Sequence, residues 1–271
     1  MQRIKSIASA KRVLALALAA VMFLSMVVFL AIPAYSSNDA AGSAAAAEDM
    51  PKYIFLFIGD GMSYVQVQAT EYYLGSVASD YGTESGSLSF TNFPATGTAA
   101  TWDLTSFSPD SASTATAMST GQKTWSGTIN MDKTLTIPLE TITEKLKKQL
   151  GYGIGIVSSV NLDHATPAAF YAHQASRGSV YEIGLELIAS DFDYFAGGQL
   201  QSARITDRTP ILELAAEEGY TVYTTYEDSE KLEPADGKAI LIAENLDSGL
   251  AMNYSLDAKE GEWSLRRAAC P

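Results

Sequence analysis

Beyond residue 138 the chain alternates helix-type and strand-type patterns, and that alternation restricts its fold more than any other feature. Residues 139–150 place Leu139, Ile142, Leu146 and Leu150 on one side and stop at Gly151, which predicts an amphipathic helix. A strand is expected at 154–160, a helix at 180–189, and a short strand at 194–196 before Gly197-Gly198. A helix at 211–218 ends at Gly219, and strands follow at 222–226 and 239–243. Such repetition predicts an α/β fold with a mainly parallel sheet. Upstream, residues 53–58 (YIFLFI) form a continuous apolar run ended by Gly59-Asp60-Gly61, expected to be a central parallel strand buried on both faces. A polar loop region should follow, then a helix opening at Asp110-Ser111, rich in small residues to Met118 and stopped by Gly121.

The 271 residues, 47% of them hydrophobic, suffice for a sizeable core. Arg3, Lys5, Lys11 and Arg12 precede an apolar run at 13–32 whose one non-apolar member is Ser25, and Pro33 and small residues come after it. Basic flank, apolar run and small residues in that order describe an export signal, so residues 1–36 are expected to be a signal peptide or an N-terminal membrane anchor. The protein is then extracellular, periplasmic or anchored on the outer side of the cytoplasmic membrane. Residues 37–50 read as an Ala/Ser-rich linker, with the folded body beginning near Pro51. The net charge of −13, reached despite the four leader cations, argues against a nucleic-acid partner. Cys270 is the one cysteine, which excludes an internal disulfide and a four-thiolate zinc site, and His164 and His173 are the two histidines.

Ligands of parallel α/β sheets bind beyond the carboxyl ends of strands. Asp60 stands at such an end between two glycines, and suits a metal ligand as well as it suits an Asp-Gly turn leading into a helix. Ser111 lies in the first turn of its helix, where free N–H groups and the helix dipole favour a phosphate and a deprotonated hydroxyl. Either Asp110 or Ser111 could equally be a cap. With no histidine near Ser111 in sequence, a metal is the more plausible activator of a nucleophilic serine. Arg177 offers a rigid fork for two phosphate oxygens, against the ordinary alternative of a surface arginine.

Taken together, FIGDGM (57–62), PDSASTATAMSTGQKT (109–124) and HATPAAFYAHQASR (164–177) resemble the bacterial alkaline phosphatases in order and spacing. The likeness runs over about 52–265 and corresponds to the N-terminal portion of that family's domain. The resemblance implies a three-layer α/β/α sandwich, incomplete at its C-terminus, over residues 51–265, with 266–271 as an atypical tail. It also implies a phosphate-monoester hydrolase working through a phosphoserine with two Zn2+ and one Mg2+, and a possible homodimer. By position, Asp60 matches a metal-bridging aspartate, Ser111 the phosphorylated serine and a zinc contact, Arg177 the phosphate clamp, and Thr166 a magnesium-site hydroxyl. His164 matches a third-metal position that is aspartate in one branch and histidine in others. Asp163, one position away, is a weaker candidate, and His173 matches a structural position.

The family's remaining zinc ligands come from a later Val-Glu-Gly-Gly…Asp-His segment that does not occur here. With two histidines in all, the chain is expected to be impaired or inactive alone, and a truncated or frameshifted gene would account for the lone Cys270 in its final residues. A sheet left with a bare edge should also fold poorly or aggregate. The alternative from another class is a non-catalytic fragment or phosphate-binding module. A phosphodiesterase or sulfatase is disfavoured, because Cys270 is remote from the motifs.

Overall fold

In a computed structural model of the chain, the described residues are 50–233 and 237–269, apart from 245, 247, 248, 255, 256, 258 and 261. The leader, nearly all of the linker, Cys270 and Pro271 lie outside them. The chain divides into two compact units between Ile58 and Gly59. Described residues of the first unit carry no helix or strand.

Four parallel strands form the sheet of the second unit: β1 (Gly155–Val157), β2 (Tyr194–Gly197), β3 (Thr221–Tyr223) and β4 (Ala239–Ile242), in the order β1-β2-β4-β3. Parallel pairing sets Ile156 beside Phe195 and Phe195 beside Ile240. The helices are α1 (Tyr64–Ala78), α2 (Ser111–Thr120), α3 (Ile142–Leu150), α4 (Ala165–Ala168), α5 (Val180–Ala189), α6 (Ile211–Glu217), α7 (Tyr226–Ser229) and α8 (Leu265–Ala269). Each strand-to-strand connection carries at least one of them, as parallel neighbours require. β4, with the sequence AILI, is buried at every position, and β2 at three of four, because both have neighbours on each side.

Several helix ends follow from local chemistry. Thr141 and Glu144 make a reciprocal capping box at the start of α3, and Gly151 closes it with φ of 68°. Gly121 closes α2 in the same left-handed conformation, with φ of 73°.

Two sequence expectations fail. Residues 53–58 are not a strand: the run carries no regular secondary structure. An apolar run records a preference for burial, whereas a strand exists only where a neighbour offers a hydrogen-bonding edge. The expected polar loop after Gly61 is instead α1, fifteen residues capped by a Ser63–Gln66 capping box. Its apolar side chains do not fall on one stripe, and Tyr64, Val65, Tyr73 and Val77 are exposed. Residues 265–269, divided above between domain and tail, form α8, whose Ala268 is buried beside Ala196, Leu241 and Trp263.

The core holds one polar pin. Asn130, fully buried with φ of 47°, donates through Nδ2 to the carbonyls of Ala169 (2.7 Å) and Ala172 (2.8 Å), and its Oδ1 accepts from Ser119 Oγ (3.0 Å). Two carbonyl partners fix the amide orientation, since a carbonyl can only accept. Its backbone N–H donates to Thr116 Oγ1 (2.9 Å). Asn130 thereby fastens α2 to the segment that continues α4. Leaving those carbonyls unpaired would cost about 1–3 kcal/mol each.

Phe195, fully buried in β2, packs its ring against Tyr171 (5.5 Å between centroids), Phe192 (6.2 Å) and Tyr220 (6.3 Å). Phe195→Ala is expected to lower unfolding free energy by about 3–5 kcal/mol, read as the shift of the urea midpoint. A shift below ~1 kcal/mol would show that this ring cluster is not the core.

Candidate active site

Asp60 sits in the turn that enters α1, with Met62 N–H donating to Gly59 O (3.1 Å) and Gly61 at φ of 71°. Since Ser63 performs the capping of α1, the Asp60 carboxylate is left for other partners. Both partners are hydroxyls at helix starts. Ser111 Oγ donates to Asp60 Oδ2 at 2.8 Å, and Thr166 Oγ1 donates to the same oxygen at 2.7 Å. Ser111 is the first residue of α2 and Thr166 the second of α4, so Asp60 draws together two helix starts that lie 51 and 106 residues further along the chain.

Asp110 is the N-cap of α2, accepting from Ser113 N–H at 3.1 Å. Its other oxygen accepts from Arg177 Nη1 at 2.9 Å, while Nη2 of the same guanidinium lies 3.0 Å from His164 Nε2. Arginine can only donate, so His164 Nε2 accepts and the ring proton sits on Nδ1. That Nδ1 is buried without a hydrogen-bond partner. Burial, then the adjacent Arg177 charge, holds the His164 pKa below its usual value, which keeps the ring neutral. For Asp110, burial acts upward but is outweighed by hydrogen bonds from Gly127 N–H, Ser113 and Arg177, so its carboxyl is held below the usual range. The structure thus gathers Asp60, Ser111 and Thr166 around one oxygen, and His164, Arg177 and Asp110 in a second chain anchored at the same helix starts.

Asp163 belongs to neither group. Buried, it accepts from Gln201 N–H and Ser202 N–H (2.8 Å each) and from Asn161 Nδ2 (2.6 Å), which commits both oxygens to holding a turn. His173 stands apart between α3 and α5, its Nε2 3.3 Å from Glu144 and its Nδ1 3.6 Å from Glu186. Two partners of the site were not read from sequence. One is the link from Asp110 to Arg177; the other is Asp103, whose Asp-x-Thr-Ser pattern is a turn signature.

As for metals, Asp60 supplies one carboxylate among hard hydroxyl oxygens, a set that suits Mg2+, which binds through one or two carboxylates and keeps several waters. Among the described residues a zinc pair does not fit: no group of three or more His, Cys, Asp or Glu is placed to hold a metal.

The family model for alkaline phosphatase matches residues 51–193, more than half of the chain. The chain belongs to the alkaline phosphatase family. Alkaline phosphatase 4 of Drosophila melanogaster is 39% identical over 126 residues, 44% of this chain and 21% of that protein. The tissue-nonspecific alkaline phosphatase of Gallus gallus is 33% identical over 176 residues, 62% of this chain and 33% of that protein. The chain therefore spans about a fifth to a third of the curated alkaline phosphatases it matches. Among solved structures, the alkaline phosphatase of the Antarctic bacterium TAB5 aligns with TM-score 0.59 and 28% identity, covering 78% of this chain and 57% of that one. The cold-active enzyme of Shewanella sp. aligns with TM-score 0.60 and 27% identity, covering 68% and 44%. The α/β fold with its parallel sheet is that of the alkaline phosphatases.

His173 gives the chain a pH-dependent brace. Burial alone would depress the imidazole pKa, but hydrogen bonds to Glu144 and Glu186 outweigh it and push it up to about 9. A raised folded-state value stabilises fully below the unfolded value of about 6.5 and is lost as pH rises through about 9. Thermal melts from pH 6 to 10 are expected to show a steeper fall in Tm for the natural chain than for His173→Gln. Parallel curves would mean that His173 is not charged in the fold.

Proposed function

We propose that this chain is the nucleophile-bearing part of a phosphate-monoester hydrolase, with Ser111 as the phosphoryl acceptor. The observation that carries this reading is the 2.8 Å hydrogen bond from Ser111 Oγ, at the first position of α2, to the Asp60 carboxylate. That bond turns the serine's proton toward Asp60 Oδ2 and leaves its lone pairs free for phosphorus. Free N–H groups of the first turn of α2 can donate hydrogen bonds to the equatorial oxygens of the phosphoryl group as its charge develops. Arg177 engages Asp110 and His164 with two of its N–H donors, so its remaining donors are available to the same oxygens. A neutral His164 accepts from the guanidinium without competing for the anion.

A Mg2+ would be held by Asp60 and Thr166, with His164 beside it; one solved neighbour, a variant of the TAB5 enzyme, is described with Mg bound in its M3 site. When bound, divalent metals supply charge neutralisation and activation of an attacking oxygen. The two Zn2+ of the resemblance need donors that the described residues do not provide. The order of basic, apolar and small residues in 1–36 supports an exported location for this chemistry.

Incubation with 32P-labelled inorganic phosphate at acidic pH, with Mg2+ and Zn2+ present, is expected to leave acid-stable label on the chain, and Ser111→Ala is expected to take none. The scarcity of metal donors favours one other reading, a phosphate-binding module without turnover. In that case phosphate shifts side-chain NMR signals around Arg177 while Ser111 stays unlabelled. Label that survives in Ser111→Ala removes Ser111 from the mechanism.

A further inference from the structure

Asp103 lies in the loop before α2, eight residues upstream of Ser111, and its hydrogen bonds go to neither Ser111 nor Arg177. Its side chain is nevertheless among the most heavily bonded in the molecule. The residue is 6% exposed, and Oδ1 accepts from Thr105 N–H (2.7 Å), Ser106 N–H (2.6 Å) and Thr105 Oγ1 (2.9 Å). Oδ2 accepts from Ser113 Oγ (2.8 Å) and from Ser126 Oγ. Burial acts to raise the carboxyl pKa, but the hydrogen bonds from Ser126, Thr105 and Ser113 overcome it and hold the group ionised.

The two Oδ2 partners lead in different directions. Ser113, in the first turn of α2, also reaches Asp110 Oδ1 at 3.1 Å, so it bridges two carboxylates. Ser126 precedes Gly127, whose carbonyl accepts the backbone N–H of Arg177 at 2.7 Å. Asp103 thus fastens both supports of the Asp110–Arg177 pair: the helix turn that carries Asp110 and the loop that carries the backbone of Arg177. A buried carboxylate gathering five hydrogen bonds is a rigid node, and ionic acceptors make the stronger bonds. The serine hydroxyls have one proton each, so losing the Asp103 charge frees Ser113 to pair with Asp110 alone and releases Ser126.

We propose that Asp103 is a positioning residue that sets the direction of the Arg177 guanidinium through Ser113 and the Ser126–Gly127 loop, and with it the clamp for the anion. This rests on the phosphate-handling role given to Arg177 above, although its first readout does not. In the 15N-labelled full chain, kept in mild detergent because of its apolar leader, the Nε–H signal of Arg177 is assigned by its loss in Arg177→Lys. Asp103→Asn is expected to shift and broaden that signal, and to weaken its response to added inorganic phosphate by roughly 10–100-fold. Phe195→Ala, which loosens the core elsewhere, is expected to leave the signal in place below its melting temperature. Should Asp103→Asn not fold, Ser126→Ala removes one arm while the carboxylate keeps its bonds to the 105–106 turn, and is expected to broaden the same signal. An unchanged Arg177 signal in Asp103→Asn, or in Ser126→Ala where only that variant folds, overturns the proposal, as does an equal change in Phe195→Ala. Absence of any phosphate response in the natural chain counts against the proposed function, while the signal itself still decides the role of Asp103.

Discussion

The candidate site depends on the attachment of α2 to the segment carrying α4, and a single buried amide makes much of that attachment. Asn130 reaches Ala169 and Ala172 beyond α4, and Ser119 and Thr116 on α2, from a loop that lies between the two in sequence. Ala112 and Ala115 of α2 are fully buried, so its small residues let the backbones approach closely enough for those bonds. With the two helices so fixed, their starts face the same turn. Ser111 and Thr166 can then share Asp60 Oδ2.

Around that frame the charges are arranged with little redundancy. Asp103 and Asp110 are both held ionised at the start of α2, where the positive end of the helix dipole favours them. Arg177 answers one of them and presses against a neutral His164. Asp60 faces no cation among its hydrogen-bond partners, which are both hydroxyls. A carboxylate of this kind, open to solvent and ringed by oxygens, is chemically ready for a hard cation. The charged brace of His173 between Glu144 and Glu186 lies elsewhere and ties α3 to α5.

Much of the second unit was legible from local chemistry. Gly121 and Gly151 mark real left-handed helix ends, and α5 runs over the residues that its apolar spacing indicated. The short apolar runs at β2 and β4 become central strands. Residues 53–58 show the limit of the same rule, because periodicity reports burial and says nothing of which strand offers an edge. α1 escaped notice for the opposite reason. Its Ser63–Gln66 box was in plain sight, but its tyrosines and valines surround the helix and show no stripe. At the site, Asp60, Ser111, His164, Thr166 and Arg177 were named from motifs, whereas Asp103 and Asn130 were not, since a lone Asp or Asn in a loop reads as turn chemistry.

The sequence by itself determined the alternation of strands and helices, the caps that bound several helices, and the serine at a helix start, because each is a matter of neighbouring residues and backbone geometry. The scarcity of histidine, which limits the metals that this chain can hold, is likewise a property of composition alone. Only the tertiary structure decided that Asp60 serves two hydroxyls rather than a helix cap, that Asp163 is spent on a turn, and that Asp110 holds Arg177. Those outcomes rest on contacts between residues some 40 to 110 positions apart. Hydrogen-bond geometry across such distances is set by how helices and loops pack, which no local pattern encodes.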